Sequence, residues 1–190
     1  MISLVFDTET TGIPRHPNAK DKVQPSMIEF GGALVDETGE IVDEINLLIK
    51  PREVNPAKGK KLGFHELLNW EGIQRITGLT EEEFDDAPSF AEAVEQIRPF
   101  FARANRLIAH NLPFDKTILE LDLARTGVTD WPWPSVQICT VQEHAEAWGR
   151  RPKLIELYHH YTGEPLAQTH RALDDVHALI TVCKLAGTLK

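Results

Sequence analysis

The stretch Ile2-Ser3-Leu4-Val5-Phe6-Asp7-Thr8-Glu9-Thr10-Thr11-Gly12 opens with an almost wholly apolar run and ends abruptly in two acids. Such a run is the mark of a strand buried on both faces. Side chains alternate across a strand, so Asp7 and Glu9 point to the same side. Two carboxylates so close repel one another in a partly buried site unless a cation lies between them. A strand that has simply reached solvent would carry the same two acids.

Outward from this strand, a polar loop with Pro14, Pro17, Asn18, Asp21 and Pro25 leads to Met27–Val35 and Ile41–Ile49. These two β-rich runs flank the turn Asp36-Glu37-Thr38-Gly39-Glu40 and predict a hairpin. Lys50–Trp70 reads as a long loop with one helical turn near Phe64–Leu68, and helical character begins only after Ile76-Thr77-Gly78-Leu79-Thr80. Ser89 and Glu92 form a capping box ahead of a helix over Phe90–Ala104. Leu107–Ala109 is a short strand, and Pro113 opens a helix that closes at Gly127. Trp131-Pro132-Trp133-Pro134 is a stiff connector to a strand at Val136–Cys139, with Thr140 as cap of a helix over Val141–Trp148. Leu154–Tyr161 is helical up to Gly163, and the last helix runs from Arg171 to Leu185. The expected fold class is α/β, in one domain over residues 1–190.

Composition narrows the function classes. With 190 residues, 42% hydrophobic and 26% charged, the chain can bury one core and is not disordered. No apolar run is long enough for a bilayer span, and no basic segment precedes the first strand as a secretory leader would have. The expectation is a soluble cytoplasmic protein with no membrane partner. Cys139 and Cys183 have neither paired nor zinc-like spacing, which excludes a disulfide framework or a structural zinc site. The net charge of −9 argues against a general nucleic-acid coat, which needs a basic footprint. Acidic chains can still handle nucleic acid when carboxylates hold divalent metals. No Gly-rich phosphate loop precedes a helix, which sets aside a P-loop ATPase.

Two further segments carry chemistry. In the helix after Ala109-His110-Asn111-Leu112-Pro113-Phe114-Asp115, Phe114, Ile118, Leu119, Leu121 and Leu123 define an apolar arc. At roughly 100° per residue, Asp115 lies about 40° from its centre, so it faces inward. An inward acid must be paired, protonated or bound to metal. Asp122 shares much of that face. In His170-Arg171-Ala172-Leu173-Asp174-Asp175-Val176, Asp175 sits about 75° from the apolar arc of the last helix, at the border of the interior, and Asp174 points away from it. To reach a site shared with Asp175, His170 must precede the first turn, on a movable loop.

In order and context, Asp7, Glu9, Asp115, His170 and Asp175 resemble the DEDDh (DnaQ-like) branch of the 3′→5′ exonucleases. Phe-Asp-Thr-Glu-Thr-Thr-Gly is similar to that family's first motif, His-Asn-x-x-Phe-Asp to its second and His-x-x-x-x-Asp to its third. The likeness extends from Leu4 to Ala186 and includes Ile28-Glu29-Phe30-Gly31, Ile76-Thr77-Gly78-Leu79-Thr80 and Pro152-Lys153-Leu154. It is closest to the group containing the proofreading epsilon subunit of bacterial DNA polymerase III.

The resemblance implies an RNase H-like fold with a central mixed five-stranded sheet flanked by helices. It implies that Asp7, Glu9, Asp115 and Asp175 hold two Mg²⁺ or Mn²⁺ ions and that His170 is the general base, releasing nucleoside 5′-monophosphates. Each ion would also offset two of the negative charges. By the same analogy, Thr10, Thr11, Gly12, Ile76, Asn111 and Phe114 line the terminal-nucleotide pocket. For these, a turn glycine, a core phenylalanine and a helix-capping asparagine are the structural alternatives. The implied partners are single-stranded nucleic acid, DNA ahead of RNA, and a polymerase or replication assembly, with oligomeric state left open.

The chain also departs from the compact family pattern. The loops Ile13–Pro25 and Lys50–Trp70 are longer, and no C-terminal extension like the one that docks epsilon onto its polymerase follows the last helix. Lys58, Lys60 and Lys61, with Arg150, Arg151 and Lys153, could track a nucleic-acid backbone or be solvated surface charges. Trp131 and Trp133 could stack on bases or pack under their turn. The competing functions are an RNA-trimming exoribonuclease and a catalytically idle end-binding or protein-binding subunit on the same fold.

Overall fold

Five strands and six helices make up the computed structural model, which describes residues 1–52, 68–167 and 169–190. The strands β1 (Ser3–Thr10), β2 (Met27–Val35), β3 (Ile41–Leu48), β4 (Arg106–Ala109) and β5 (Val136–Cys139) form one sheet in the order β3-β2-β1-β4-β5. The β1–β2 and β2–β3 pairs are antiparallel, whereas β4 and β5 continue from β1 in parallel. This is the mixed five-stranded sheet that the motif resemblance implied. The 27–35 and 41–48 segments form the expected hairpin, and β1 carries both acids at its C-terminal end, as expected, and runs on to Thr10.

The two faces of the sheet sort the strand residues by parity, because alternate side chains point opposite ways. Leu4 and Phe6 of β1 and Phe30 and Leu34 of β2 pack with α2 (Phe90–Arg103) and α3 (Leu112–Arg125). Val5, Ala33 and Val35 face α5 (Leu154–Thr162) and α6 (Ala172–Ala186). β2 is therefore buried along its whole length. The capping box of α2 forms as expected, with Glu92 Oε2 accepting from the Ser89 amide at 2.8 Å.

Three local expectations are corrected. A helix, α1 (Trp70–Thr77), precedes Gly78, ahead of the point where helical character was expected to begin. Asn69 caps it by accepting the Gly72 amide at 2.9 Å, and Trp70 and Ile73, one turn apart, pack from it against Leu79 and Phe84. After it, Glu81–Phe84 make only a single 3-10 turn. At α4 (Thr140–Trp148) the N-cap residue is Cys139 and Thr140 is already helical, because its hydroxyl turns to His110 Nδ1 at 3.0 Å. The 58–61 lysine cluster and most of the turn expected near Phe64–Leu68 lie outside the described residues.

Candidate active site

β1 outruns its parallel neighbour: it pairs with β4 only from Ser3 to Val5, so its far end is open on that side. The chain leaves β4 through His110 and Asn111, the latter in the left-handed region at φ 75°, and turns straight into α3. That turn brings Asp115 against the open edge of β1. Asp115 Oδ1 accepts the Thr8 amide at 3.1 Å and the Thr8 hydroxyl at 2.8 Å. Thr8 is the residue between the two acids of β1, so the acid of α3 is fastened to the strand that carries Asp7 and Glu9.

From the other side, α6 lies across β1 and β2 and adds Asp175 from its first turn. Its N-terminus approaches β2 very closely at Gly31, which is in register with Asp7. A Cβ on Gly31 would fall 2.5 Å from Ala172 C and Leu173 N. His170 precedes the helix with φ 53° and is exposed. Ligand-capable atoms of Glu9, His170 and Asp175 all lie within 4.8 Å of one another. The helix-wheel placement of the last helix agrees with the structure: Asp175 is buried and Asp174 is exposed, accepting a hydrogen bond from the Thr169 hydroxyl at 2.6 Å.

The electrostatics are those of a cation site. Burial pushes Asp7 well above the ordinary carboxylate range, and the negative charges of Asp115, Glu9, Asp175 and Glu29 push it further. Burial raises Glu9 to about 8, helped by Asp175, Glu29 and Asp115, with Arg171 opposing. Asp115 rises to about 7 through burial, despite its hydrogen bonds from Thr8. Carboxylates held together at this density fit hard divalent cations, which take oxygen ligands and relieve the repulsion.

The residues expected around the terminal nucleotide have mixed surroundings. The Thr10 hydroxyl donates to the Gly12 carbonyl at 2.7 Å. Thr11 is fully buried and engaged throughout: its amide donates to Ser26 O, its hydroxyl accepts the Ser26 amide, and its carbonyl accepts from Leu68. Asn111 Oδ1 accepts from Arg151 Nη2, and Phe114 is half-buried against the α2–α3 core. Ile76 is exposed on the last turn of α1. Arg150 pairs with Glu156 at 2.7 Å. Trp131 is buried against Phe101, which leaves it no face for a base, and Trp133 meets the same ring edge-on.

Three residues of the site escaped the sequence reading as individuals. Glu29 is fully buried on β2 and paired with Arg171, and His110 is held at the strand–helix turn, its pKa lowered to about 4 by burial. A lone acid inside the wholly buried strand MIEFGGALV was the available clue for Glu29.

A mixed sheet carries a carboxylate cluster where β1 outruns its parallel neighbour, closed by a helix with a histidine at its entrance, and these side chains could hold a divalent cation. Residues 68–183 match the exonuclease family RNase_T, so this chain belongs to that family. The match takes in Asp115, His170 and Asp175, while Asp7 and Glu9 precede it. Among curated relatives, the chain is 30% identical over 185 residues to a Mycobacterium tuberculosis protein provisionally named a bifunctional exonuclease/endonuclease. It is 27% identical over 180 residues to a PolC-type DNA polymerase III of Thermotoga petrophila. Both alignments cover 94% of this chain but only 25% and 11% of those proteins. The fold is shared with the nuclease domain of 3′hExo, a DEDDh family member bound to rAMP, at TM-score 0.68 and 17% identity over 96% of this chain and 90% of that one. It is also shared with the zinc-bound Escherichia coli ExoI–ssDNA complex, at TM-score 0.72 and 18% identity over 98% and 40%. Among the described residues, no helix is long and apolar enough to cross a membrane.

Proposed function

We propose that this chain is a 3′→5′ exonuclease that hydrolyses single-stranded DNA one nucleotide at a time and releases nucleoside 5′-monophosphates. In this reading residues 1–190 form one exonuclease domain that acts in the cytoplasm. Asp7, Glu9, Asp115 and Asp175 would hold two Mg²⁺ or Mn²⁺ ions. When bound, these ions would supply an activated water and charge stabilisation for the departing 3′-oxygen. His170 takes the proton of the attacking water on a ring nitrogen as the new P–O bond forms and the bond to the 3′-oxygen breaks. Thr8 holds Asp115 in line, and the Thr10–Gly12 turn, Asn111, Phe114 and Ile76 border the 3′-terminal nucleotide.

The observation that carries this reading is the meeting of Glu9, His170 and Asp175 within 4.8 Å, beside Asp7 and Asp115, whose pKa values are raised by burial and, at Asp7, also by the neighbouring carboxylates. The Thr-Glu-Thr-Thr-Gly sequence after Asp7 and the single-stranded DNA bound by the structurally similar ExoI support DNA as substrate, and the PolC-type relatives support a replication setting with a polymerase partner. An RNA-trimming reading is favoured by one observation, the rAMP bound to 3′hExo.

The deciding experiment is digestion of 5′-labelled single-stranded DNA and RNA of one sequence with Mg²⁺, Mn²⁺ or EDTA, beside Asp7→Asn. The expected result is a metal-dependent ladder shortening from the 3′ end, faster on DNA and lost in the variant. Faster cleavage of RNA would transfer the assignment to the exoribonuclease. No cleavage of either by folded, metal-saturated protein would leave the idle binding subunit.

A further inference from the structure

Glu29 and Arg171 form a charged pair that the proposed reaction leaves without a task. Glu29 has no exposed surface and sits on β2 in register with Glu9. Arg171 Nε donates to both of its carboxylate oxygens, at 3.1 and 3.2 Å, and Nη2 donates to Oε1 at 3.0 Å. The Ala172 amide adds a fourth contact at 3.3 Å. A carboxylate buried this deeply is costly unless its oxygens are met by donors, and an apolar side chain could fill a strand position at less cost. The pair therefore calls for a reason other than stability.

Its place in the chain supplies one. Arg171 is the N-cap residue of α6 and directly follows His170. His170 has φ 53°, uncommon for a non-glycine residue and maintained only where the surroundings hold it. The chain just after His170 is pinned to β2 twice, by the ion pair at Glu29 and by the close approach of Ala172 and Leu173 to Gly31. β2 is in turn locked to β1, with Glu29 opposite Glu9 and Gly31 opposite Asp7. The pair thus links the backbone carrying the histidine to the strand carrying two of the carboxylates.

We propose that Glu29 and Arg171 are positioning residues: their buried ion pair holds the His170 backbone in its left-handed conformation and so aims the imidazole at the Glu9–Asp175 face. The proposal rests on the reading of His170 as the general base. The pair acts only through His170 and touches no reacting atom.

The test combines a double-mutant cycle with a measurement that needs no turnover. Glu29→Gln and Arg171→Lys are each made alone and together with His170→Ala, and are assayed on labelled single-stranded DNA. Expected for either single variant is a kcat lower by roughly 10- to 100-fold, the scale of a slightly misplaced catalytic group. KM and Mn²⁺ binding, read by electron paramagnetic resonance, stay at wild-type levels. In the His170→Ala background neither substitution lowers kcat further. Losses that multiply in that background, or Mn²⁺ binding that falls in step with kcat, overturn the proposal. In metal-free protein, the amide-to-Hα coupling of His170 should move away from its left-handed value in Glu29→Gln; an unchanged coupling overturns the proposal even if the wild-type protein cleaves nothing. Inactive wild-type protein with a shifted coupling would instead sink the enzyme reading and leave the positioning intact. If Glu29→Gln does not fold, the Glu29→Gln/Arg171→Gln pair, which buries no lone charge, takes its place in every comparison.

Discussion

Asp115 and Asp122 stand at two levels of one helix, about 20° apart on its wheel, and both are buried. At the Asp122 end, Arg125 Nη1 donates to Oδ1 at 2.7 Å and the Met27 amide donates to Oδ2 at 2.8 Å. Arg125 reaches on to Asp21 at 2.6 Å, so the acid belongs to a network that ties α3 to the loop before β2. At the Asp115 end the donors are the neutral amide and hydroxyl of Thr8, and the surrounding charges are other carboxylates. Burial raises both acids, but only Asp122 has a cation to set against it. Burial alone therefore does not separate the two acids; what their oxygens meet does.

The largest expected effect is at the Asp115 end. Asp115→Asn should slow single-strand cleavage by about 10³-fold or more, equal to about 4 kcal/mol of barrier. Its melting temperature in EDTA at pH 8 should not fall, because the amide keeps the Thr8 bonds and removes a repelled charge. Near-normal cleavage by Asp115→Asn would end the contrast.

Asp122→Asn should do the reverse. Placing an amide against the Met27 donor and weakening the Arg125 pair should cost about 1–3 kcal/mol in denaturant unfolding. Cleavage per folded molecule should stay at the wild-type rate. A stable but inactive Asp122→Asn protein would place this end in the site as well.

A pH titration of stability sharpens the same point. Glu9 is raised to about 8 and Asp115 to about 7 in the folded state, far above their ordinary values of 4.5 and 3.8. Between pH 6.5 and 8 the unfolded chain keeps both ionised while the fold still holds protons on them. Stability of the metal-free protein must therefore fall as pH rises through this window, by about 2 kcal/mol or more, with the raised Asp7 acting in the same direction. The lowered pKa of His110 acts in the opposite direction, but only below its ordinary value of 6.5. Saturating Mn²⁺ should flatten the slope, and a slope unaffected by metal would separate these acids from any cation.

The smallest effect is expected at Asp174, one residue from Asp175 but exposed on the outer side of α6. Asp174→Asn should change stability by no more than about 0.5 kcal/mol and leave cleavage intact. A loss matching that of Asp175→Asn would mean that the inner and outer faces of α6 had been exchanged.

Much of this was legible in the order of residues. The period of two along β1 put Asp7 and Glu9 on one face, and the helical period put Asp115 and Asp175 inward and Asp174 outward, because these are rules of local backbone geometry. The hairpin and the α2 capping box were readable for the same reason. Helix α1 was missed although its signals were local, with Asn69 before it, Gly78 after it and Trp70 and Ile73 one turn apart, and Thr140 as a cap was wrong because a cap is decided by where the hydroxyl turns. The separation of Asp115 from Asp122, the clamp of Glu29 on Arg171 and the left-handed turn at His170 required the assembled fold. Each depends on a partner many positions away along the chain: Thr8 for Asp115, β2 for Arg171 and Met27 for Asp122. Local periodicity says which way a side chain points. What it meets there is set by which strands and helices pack together, and that is decided only when the whole chain has folded.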